Sequence, residues 1–474
     1  MSEQKQYDLI VIGSGPGGYV AAVRATQLGM KVACIEKDKR LGGVCLNVGC
    51  IPSKALLDSS EYYHLARDHF GNHGITVGDI KLDLKKMMAR KEEVVKDLTD
   101  QVRSLLSGNE IDIIEGTAEL VDRGKVKVTS GGKGKKKSDT ELEGKNILLA
   151  TGSTPVSVPG MAFDGKNIVS STDALSFSSV PKKLGIVGGG YIGLELGSVW
   201  NRLGSKVTVI EMLPKIAANL DGQLNRTLER TLKKQGIEFL LKTKVSNAKQ
   251  TKSGIKVELE TGEEKTSKTF DKLLVAVGRK PLTEGLGLDT VGIKTDEKTG
   301  HIEVDENYQT SVGGIFAIGD LIAGPMLAHK ASAEGIAAVE IMAGMPGEVN
   351  YDVIPAIVYT WPEVASVGLT EEQARERGID YCVGTHPFSG TGRARCMGEK
   401  DGFVKVIAQA KTDRILGIHI IGPRASDMIA EGGLALEFAA SSEDIARTTH
   451  GHPTFAEALM EAATNIRKCS IYAS

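Results

Sequence analysis

The sequence predicts an α/β protein: two parallel-sheet units in succession, then an α+β region. Three observations carry the prediction. A strand–turn–helix–strand pattern ending in an acid occurs twice, at residues 7–36 and 184–211. A length of 474 residues suggests about three domains at roughly 150 residues each. The 56 glycines, with only 14 prolines, exceed the usual ~7% without marking low-complexity linker, so backbones must approach something closely.

In the first copy, Tyr7–Gly13 is a short apolar run suited to a buried parallel strand. It enters Gly13-Ser14-Gly15-Pro16-Gly17-Gly18, after which a helical pattern runs through Leu28 and stops at Gly29. A second strand, 31–35, ends in Glu36, eighteen residues after Gly18. Glycines at 13, 15 and 18 allow a tight turn, close approach of backbone to a pyrophosphate, and close helix–strand packing. The helix N-terminus then faces phosphate, and the acid accepts ribose hydroxyls. In the second copy, Leu184–Gly188 leads into Gly188-Gly189-Gly190-Tyr191-Ile192-Gly193. A helix follows to Leu203 with Gly204 as its stop, and the strand Lys206–Ile210 ends in Glu211 at the same spacing. One G-x-G-x-x-G is a weak signal. Two in full context, with Gly188, Gly190 and Gly193 in the second, read as two Rossmann-like dinucleotide sites. Glu211 favours NAD over NADP, because a carboxylate repels a 2′-phosphate and residues 212–217 offer only Lys215.

Three further strands would complete these units. Residues 147–152 end in Thr151-Gly152, residues 274–279 contain Gly278, and residues 310–320 end in Gly319-Asp320. Taken alone, Asp320 could equally cap an ordinary turn. Together these elements resemble the flavoprotein disulfide reductases. The resemblance implies FAD in the first domain, held by Gly13, Gly15, Gly18, Glu36, Thr151, Gly152, Asp320 and Ala328. It implies NAD in the second, held by Gly188, Gly190, Gly193, Glu195, Glu211 and Gly278. The expected division is an FAD domain at 1–153, an NAD domain at 154–280, a central domain completing the FAD site at 281–349, and an α+β dimerisation domain at 350–474.

Residues 41–54 read Leu-Gly-Gly-Val-Cys-Leu-Asn-Val-Gly-Cys-Ile-Pro-Ser-Lys. On a regular helix, cysteines five apart have Cα atoms roughly 8–9 Å apart. Bridging wants less than about 7 Å. A bridging pair would need a distorted turn, which Gly42, Gly43, Gly49 and Pro52 permit. The residues alone leave open a redox pair, a metal pair or two buried thiols, although no further metal ligands lie nearby. The segment is similar to the G-G-x-C-x-N-x-G-C-[IV]-P-[ST]-K signature of class I pyridine-nucleotide–disulfide oxidoreductases. That resemblance, which spans essentially the whole chain, implies that Cys45 exchanges with substrate and that Cys50 lies against the flavin. It places Lys54 near the flavin N5 edge and Glu195 as the acid paired with that lysine.

A thiol needs a base to become a nucleophile near neutral pH. Thr449-His450-Gly451-His452-Pro453-Thr454-Phe455-Ala456-Glu457 offers one, if a helix starting at Pro453 brings Glu457 back to His452. His-x-His could also be half a metal site or two turn histidines. The segment resembles the family's H-x-H-P-T-x-x-E signature, which implies His452 as base, Glu457 as its partner and His450 as accessory. In that family the histidine comes from the other subunit, which implies a homodimer.

The segments 52–57, 326–331 and 359–365 resemble the lipoamide-acting branch of the family. This implies dihydrolipoamide as electron donor and NAD+ as acceptor. The implied partners are lipoyl domains or lipoyl proteins of 2-oxo-acid dehydrogenase or glycine-cleavage complexes. A lone Cys469 does not match the vicinal pair that ends mercuric reductases. Trp361 is read as packing or interface. Cys34, Cys382 and Cys396 are read as ordinary thiols, His64, His69 and His73 as surface groups, and Gly131–Lys137 as a solvated loop.

Composition excludes other classes. Near-balance of 58 basic and 60 acidic residues argues against nucleic-acid binding. Six cysteines are too few for a disulfide scaffold. No apolar run reaches the ~18 residues of a membrane span, and no metal site is read. With only six residues before Tyr7 there is little room for a signal peptide, so the expectation is a reducing, cytoplasmic setting.

Overall fold

The computed structural model describes residues 6–131 and 138–469. The loop reading at Gly131–Lys137 lies, beyond Gly131, outside the described residues. The chain divides into two compact units. One comprises the stretch through Leu56 with Lys85–Val156 and Gly278–Val349. The other comprises Leu57–Leu84, Ser157–Val277 and the chain from Asn350 onward.

The first unit is organised by Gln6–Ile12, an almost fully buried strand between parallel neighbours Val32–Glu36 and Ser138–Leu149. Burial on both faces explains the unbroken apolar run of Leu9, Ile10, Val11 and Ile12. Asp112–Glu115 extends the sheet beyond Val32–Glu36. Ser138–Leu149 serves two further partners. Its first half pairs antiparallel with Lys125–Ser130, and its last residues pair parallel with Ile315–Ala317. The chain returns after residue 278 to supply that last strand, which sets Gly319-Asp320 at the same sheet end as the first fingerprint.

The second unit repeats the arrangement with Lys183–Val187 between Lys206–Ile210 and Lys272–Val275, all parallel. Glu238–Leu240 and Ile168–Val169 complete the sheet. A three-stranded antiparallel sheet, Thr243–Thr251, Gly254–Thr261 and Glu264–Phe270, packs its apolar residues with the parallel strands. The C-terminal region is a five-stranded antiparallel sheet whose central strand is Ile415–Gly422. The helices Ala425–Glu437 and Glu457–Thr464 share a core with it. The α/β class, the two Rossmann-like sheets and the C-terminal α+β domain are therefore present.

Trp361 is partly buried, and its carbonyl accepts a bond from Gln235 Nε2 at 2.7 Å. His69 and His73 are exposed, but His64 is not a plain surface group. It is partly buried, 2.8 Å from Asp68 and edge-on to His69. Cys34 is fully buried, and burial pushes its thiol up to about 12, which leaves it inert.

Candidate active site

The two fingerprint turns have nearly the same geometry. Gly13 and Gly188 sit at φ +103° and +106°, and a Cβ on either would collide with a backbone carbonyl, that of Ala150 or Ala276. A Cβ on Gly18 or Gly193 would collide with the carbonyl of Gly13 or Gly188. These four glycines are required by the protein's own backbone. The middle glycines are not. Gly15 and Gly190 cap helices Pro16–Gln27 and Tyr191–Arg202 at φ −65° and −77°, angles that any residue adopts. A Cβ on Gly190 meets nothing within 4 Å, and one on Gly15 only the Gly43 Cα at 4.0 Å. Open space at an uncapped helix N-terminus suits a pyrophosphate, so the residues present fit two dinucleotides.

The two acids are held alike. Glu36 Oε2 accepts the Ser14 N–H at 3.0 Å, and its Oε1 accepts the Asp38 N–H at 3.1 Å. Glu211 Oε2 accepts the Gly189 N–H at 2.6 Å, and its Oε1 the Leu213 N–H at 2.7 Å. Each carboxylate is thereby fixed beside its glycine turn. Glu36 has one donor more, the Ser14 hydroxyl at 2.6 Å.

The cysteines lie across a helix break. Gly43–Val48 is one short helix, and Cys50–Asp68 starts anew after Gly49 at φ −138°, ψ −114°. Gly49 must be glycine, since a Cβ would come within 2.9 Å of the Val44 carbonyl oxygen and 3.3 Å of the Cys45 Cα. The break lets the two thiols meet, and they are hydrogen-bonded to each other. That bond, together with burial, pushes the Cys45 thiol well up, while the nearby Lys54 ammonium pulls it down. The segment rests directly on the first fingerprint. A Cβ on Gly43 would lie 2.7 Å from the Gly15 Cα, and the Gly42 N–H donates to the Ser14 carbonyl at 3.0 Å.

Asp320 lies in the turn Gly319–Leu321 and accepts from the Ser153 hydroxyl at 2.5 Å. Arg279 donates through Nε to that hydroxyl and through Nη2 to the Ser153 carbonyl, both at 2.7 Å. Burial lowers the Arg279 guanidinium, and the Asp320 carboxylate and the Cys50 thiol oppose that shift. Thr151 Oγ1 donates to the Leu282 carbonyl at 2.7 Å, Gly152 has φ +74° and Gly278 has φ +137°. Ala328 opens the helix Ala328–Met342. Glu195 is buried and accepts the Tyr359 N–H at 3.0 Å.

His452 Nδ1 lies 2.8 Å from Glu457 Oε1, while the ring is 78% exposed. Glu457 Oε2 accepts the Thr454 N–H at 2.8 Å. Burial pushes the Glu457 carboxyl up, but the bonds from His452 and Thr454 outweigh it and hold the group below its ordinary range. The pairing exists, but not through a helix starting at Pro453. The helix is Glu457–Thr464, and residues 453–456 form a turn in which the Thr454 hydroxyl donates to the Gly451 carbonyl at 2.7 Å. His450 is fastened elsewhere, 2.8 Å from both Glu431 and the Thr448 carbonyl.

Sequence reasoning missed Ser14, Ser153 and Arg279 as members of the site. Arg279 carried a signal, an arginine directly after a left-handed glycine, but its partners come from chain segments far away in sequence.

A thiol pair seated on one of two dinucleotide turns, with a carboxylate-held histidine in the same chain, defines a pyridine-nucleotide-linked disulfide oxidoreductase. The chain belongs to the pyridine nucleotide-disulphide oxidoreductase family, whose pattern matches residues 7–335, and residues 354–463 match that family's dimerisation domain. Its cofactors are FAD and NAD. It is similar to the mitochondrial dihydrolipoyl dehydrogenase of Pisum sativum, at 49% identity over 98% of this chain and 92% of that protein. It is equally similar to the leghemoglobin reductase of Vigna unguiculata, at 49% identity over 98% of this chain and 88% of the relative. Among solved structures, the HOCl-induced flavoprotein disulfide reductase RclA from Escherichia coli matches with a TM-score of 0.84 and 29% identity, over 97% of this chain and 99% of that one. Among the described residues, no helix is long and apolar enough to cross a membrane.

Proposed function

We propose that the protein oxidises dihydrolipoamide, carried on a lipoyl protein, to lipoamide with NAD+ as acceptor. The single observation that carries this reading is the Cys45–Cys50 thiol pair, in a segment whose Gly43 packs on Gly15 of the first fingerprint. The Pisum sativum relative's name supports the choice of substrate.

The chain's own residues supply the proton and sulfur chemistry. In the oxidised protein Cys45 and Cys50 are joined. His452, held at Nδ1 by Glu457, takes the proton from one substrate thiol through its exposed edge. The resulting thiolate attacks the Cys45 sulfur, forming a mixed disulfide and breaking the Cys45–Cys50 bond, with Cys50 leaving as thiolate. The second substrate thiol attacks the mixed disulfide, releasing lipoamide and the Cys45 thiol. When bound, FAD would supply the two-electron chemistry that links the dithiol to NAD+. Gly13, Gly15, Gly18, Glu36, Thr151, Gly152, Asp320 and Ala328, with Lys54 at the reactive edge, would hold it. Gly188, Gly190, Gly193, Glu211 and Gly278 would hold the nicotinamide nucleotide, with Glu195 as partner to Lys54.

We infer that the working unit is a homodimer in which His452 serves the thiol pair of the second copy, because its ring is largely exposed in its own chain. The lipoyl partner belongs to a 2-oxo-acid dehydrogenase or glycine-cleavage complex. The four functional stretches are 1–153, 154–280, 281–349 and 350–474. The cytoplasm is our reading of its setting, although the Pisum sativum relative is named mitochondrial.

The test is anaerobic reduction of the purified protein with dihydrolipoamide, following the flavin spectrum and NADH. A charge-transfer band and NADH are expected; their absence sinks the reading. His452→Gln should retain FAD and the fold but lose about 100-fold or more of dithiol turnover. Near-normal turnover would reject the base assignment.

A further inference from the structure

We propose that the buried Lys330–Glu334 pair is a positioning pair for the flavin site, fixing the backbone from which Asp320 reaches the cofactor. The inference rests on the assignment of Asp320 to FAD. Lys330 and Glu334 stand one turn apart on the helix Ala328–Met342, 3.0 Å from each other, with both side chains completely buried. A buried ion pair is a poor stabiliser, since apolar residues of similar volume often do as well or better. Stability therefore does not account for the pair, and the geometry points to another use. Both members bond the same residue. Glu334 Oε2 accepts the Gly319 N–H at 2.8 Å, and Lys330 Nζ donates to the Gly319 carbonyl at 3.1 Å.

Gly319 directly precedes Asp320 and is held in the left-handed region at φ +69°. Two glycines make room for the arrangement. A Cβ on Gly319 would press the Ala331 Cβ at 3.0 Å, and one on Gly324 would lie 3.1 Å from the Lys330 Cε. The pair sets the backbone of the turn, while Ser153, clamped by Arg279, sets the Asp320 carboxylate. The same helix rests on the first fingerprint helix, because a Cβ on Gly335 would come within 2.6 Å of the Gly17 carbonyl oxygen. One rigid element thus reaches both the pyrophosphate turn and the Gly319-Asp320 turn.

The test is the double variant Lys330→Met with Glu334→Leu, which keeps the volume and removes both charges. Three quantities are measured: the melting temperature of the FAD-stripped protein, the FAD dissociation constant by fluorescence titration, and NADH affinity. The expected result is an apoprotein that melts within a few degrees of the parent, an unchanged NADH affinity and FAD binding weakened by about tenfold or more. Parent-like FAD affinity in a folded double variant would overturn the proposal, because a purely structural pair behaves that way. If the double variant fails to fold, Glu334→Gln decides: it keeps the volume but weakens the acceptor for Gly319. Unaltered FAD affinity there would likewise overturn the proposal. A parent protein that takes up no FAD would sink this inference and the proposed function together. FAD uptake without dihydrolipoamide oxidation would sink only the proposed function.

Discussion

The two dinucleotide modules share one scaffold and use the same loop differently. In each, the residue after the first glycine gives its N–H to the acid and its carbonyl to the loop beyond that acid. In the second module the Gly189 carbonyl accepts the Ala217 N–H at 2.8 Å, and that loop leads only to the helix Gly222–Lys234. In the first module the Ser14 carbonyl accepts the Gly42 N–H, and the loop leads to Cys45 and Cys50. The cysteine pair is therefore what distinguishes the first frame from the second. It sits where a loop anchored to the pyrophosphate turn already has to pass. Ser14, where the second turn has Gly189, ties that turn to the cysteine segment, since its hydroxyl donates to Glu36 and accepts the Gly42 N–H at 3.2 Å.

The largest expected effect tests whether the modules are equivalent and independent. Gly18→Ala and Gly193→Ala each drive a methyl into the carbonyl of the first fingerprint glycine. Each should cost about 3 kcal/mol or more within its own module. Gly18→Ala should lose flavin and folded yield, whereas Gly193→Ala should stay yellow and lose NADH binding. Flavin absorbance and an NADH titration read both. Gly193→Ala protein that binds NADH normally would break the equivalence.

A smaller effect separates glycines kept for the fold from those kept for ligand. Gly190→Ala points its methyl into open space, so the melting temperature should hold while NADH affinity falls about tenfold. Lowered stability with unchanged affinity would show that the middle glycine answers to the protein rather than to the phosphates.

The smallest effect sharpens the one asymmetry. Ser14→Gly gives the FAD turn the composition of the NAD turn and removes two hydroxyl bonds worth about 1 kcal/mol each. FAD should dissociate several-fold faster, with NADH binding untouched. An unchanged FAD off-rate would mean that the serine does not link Glu36 to the cysteine segment.

Much of the site was legible because its signals are local. Glycine spacing, the acid at the end of the second strand and the cysteines flanking Gly49 each lie within a few tens of residues, where chain stereochemistry alone dictates what can form. The His452–Glu457 pairing was legible for the same reason, although its route was not. Glu457 starts the helix rather than lying inside one begun by Pro453, because a side-chain-bonded turn at Thr454 suffices to bring the carboxylate back.

By itself, then, the sequence determined that two glycine turns exist, which acid binds the backbone of each, and that Cys45 lies near Cys50 and His452 near Glu457. Only the tertiary structure decided how the far parts converge. Ser153, Arg279 and Asp320 meet because Ile315–Ala317 pairs beside Ser138–Leu149, and because Arg279–Pro281 pairs with Ser153–Pro155. Lys330 and Glu334 reach Gly319 because glycines let their helix settle against the first fingerprint helix. Both pairings, one parallel and one antiparallel, join strands across long stretches of chain, and such contacts leave no periodicity in the residues between them.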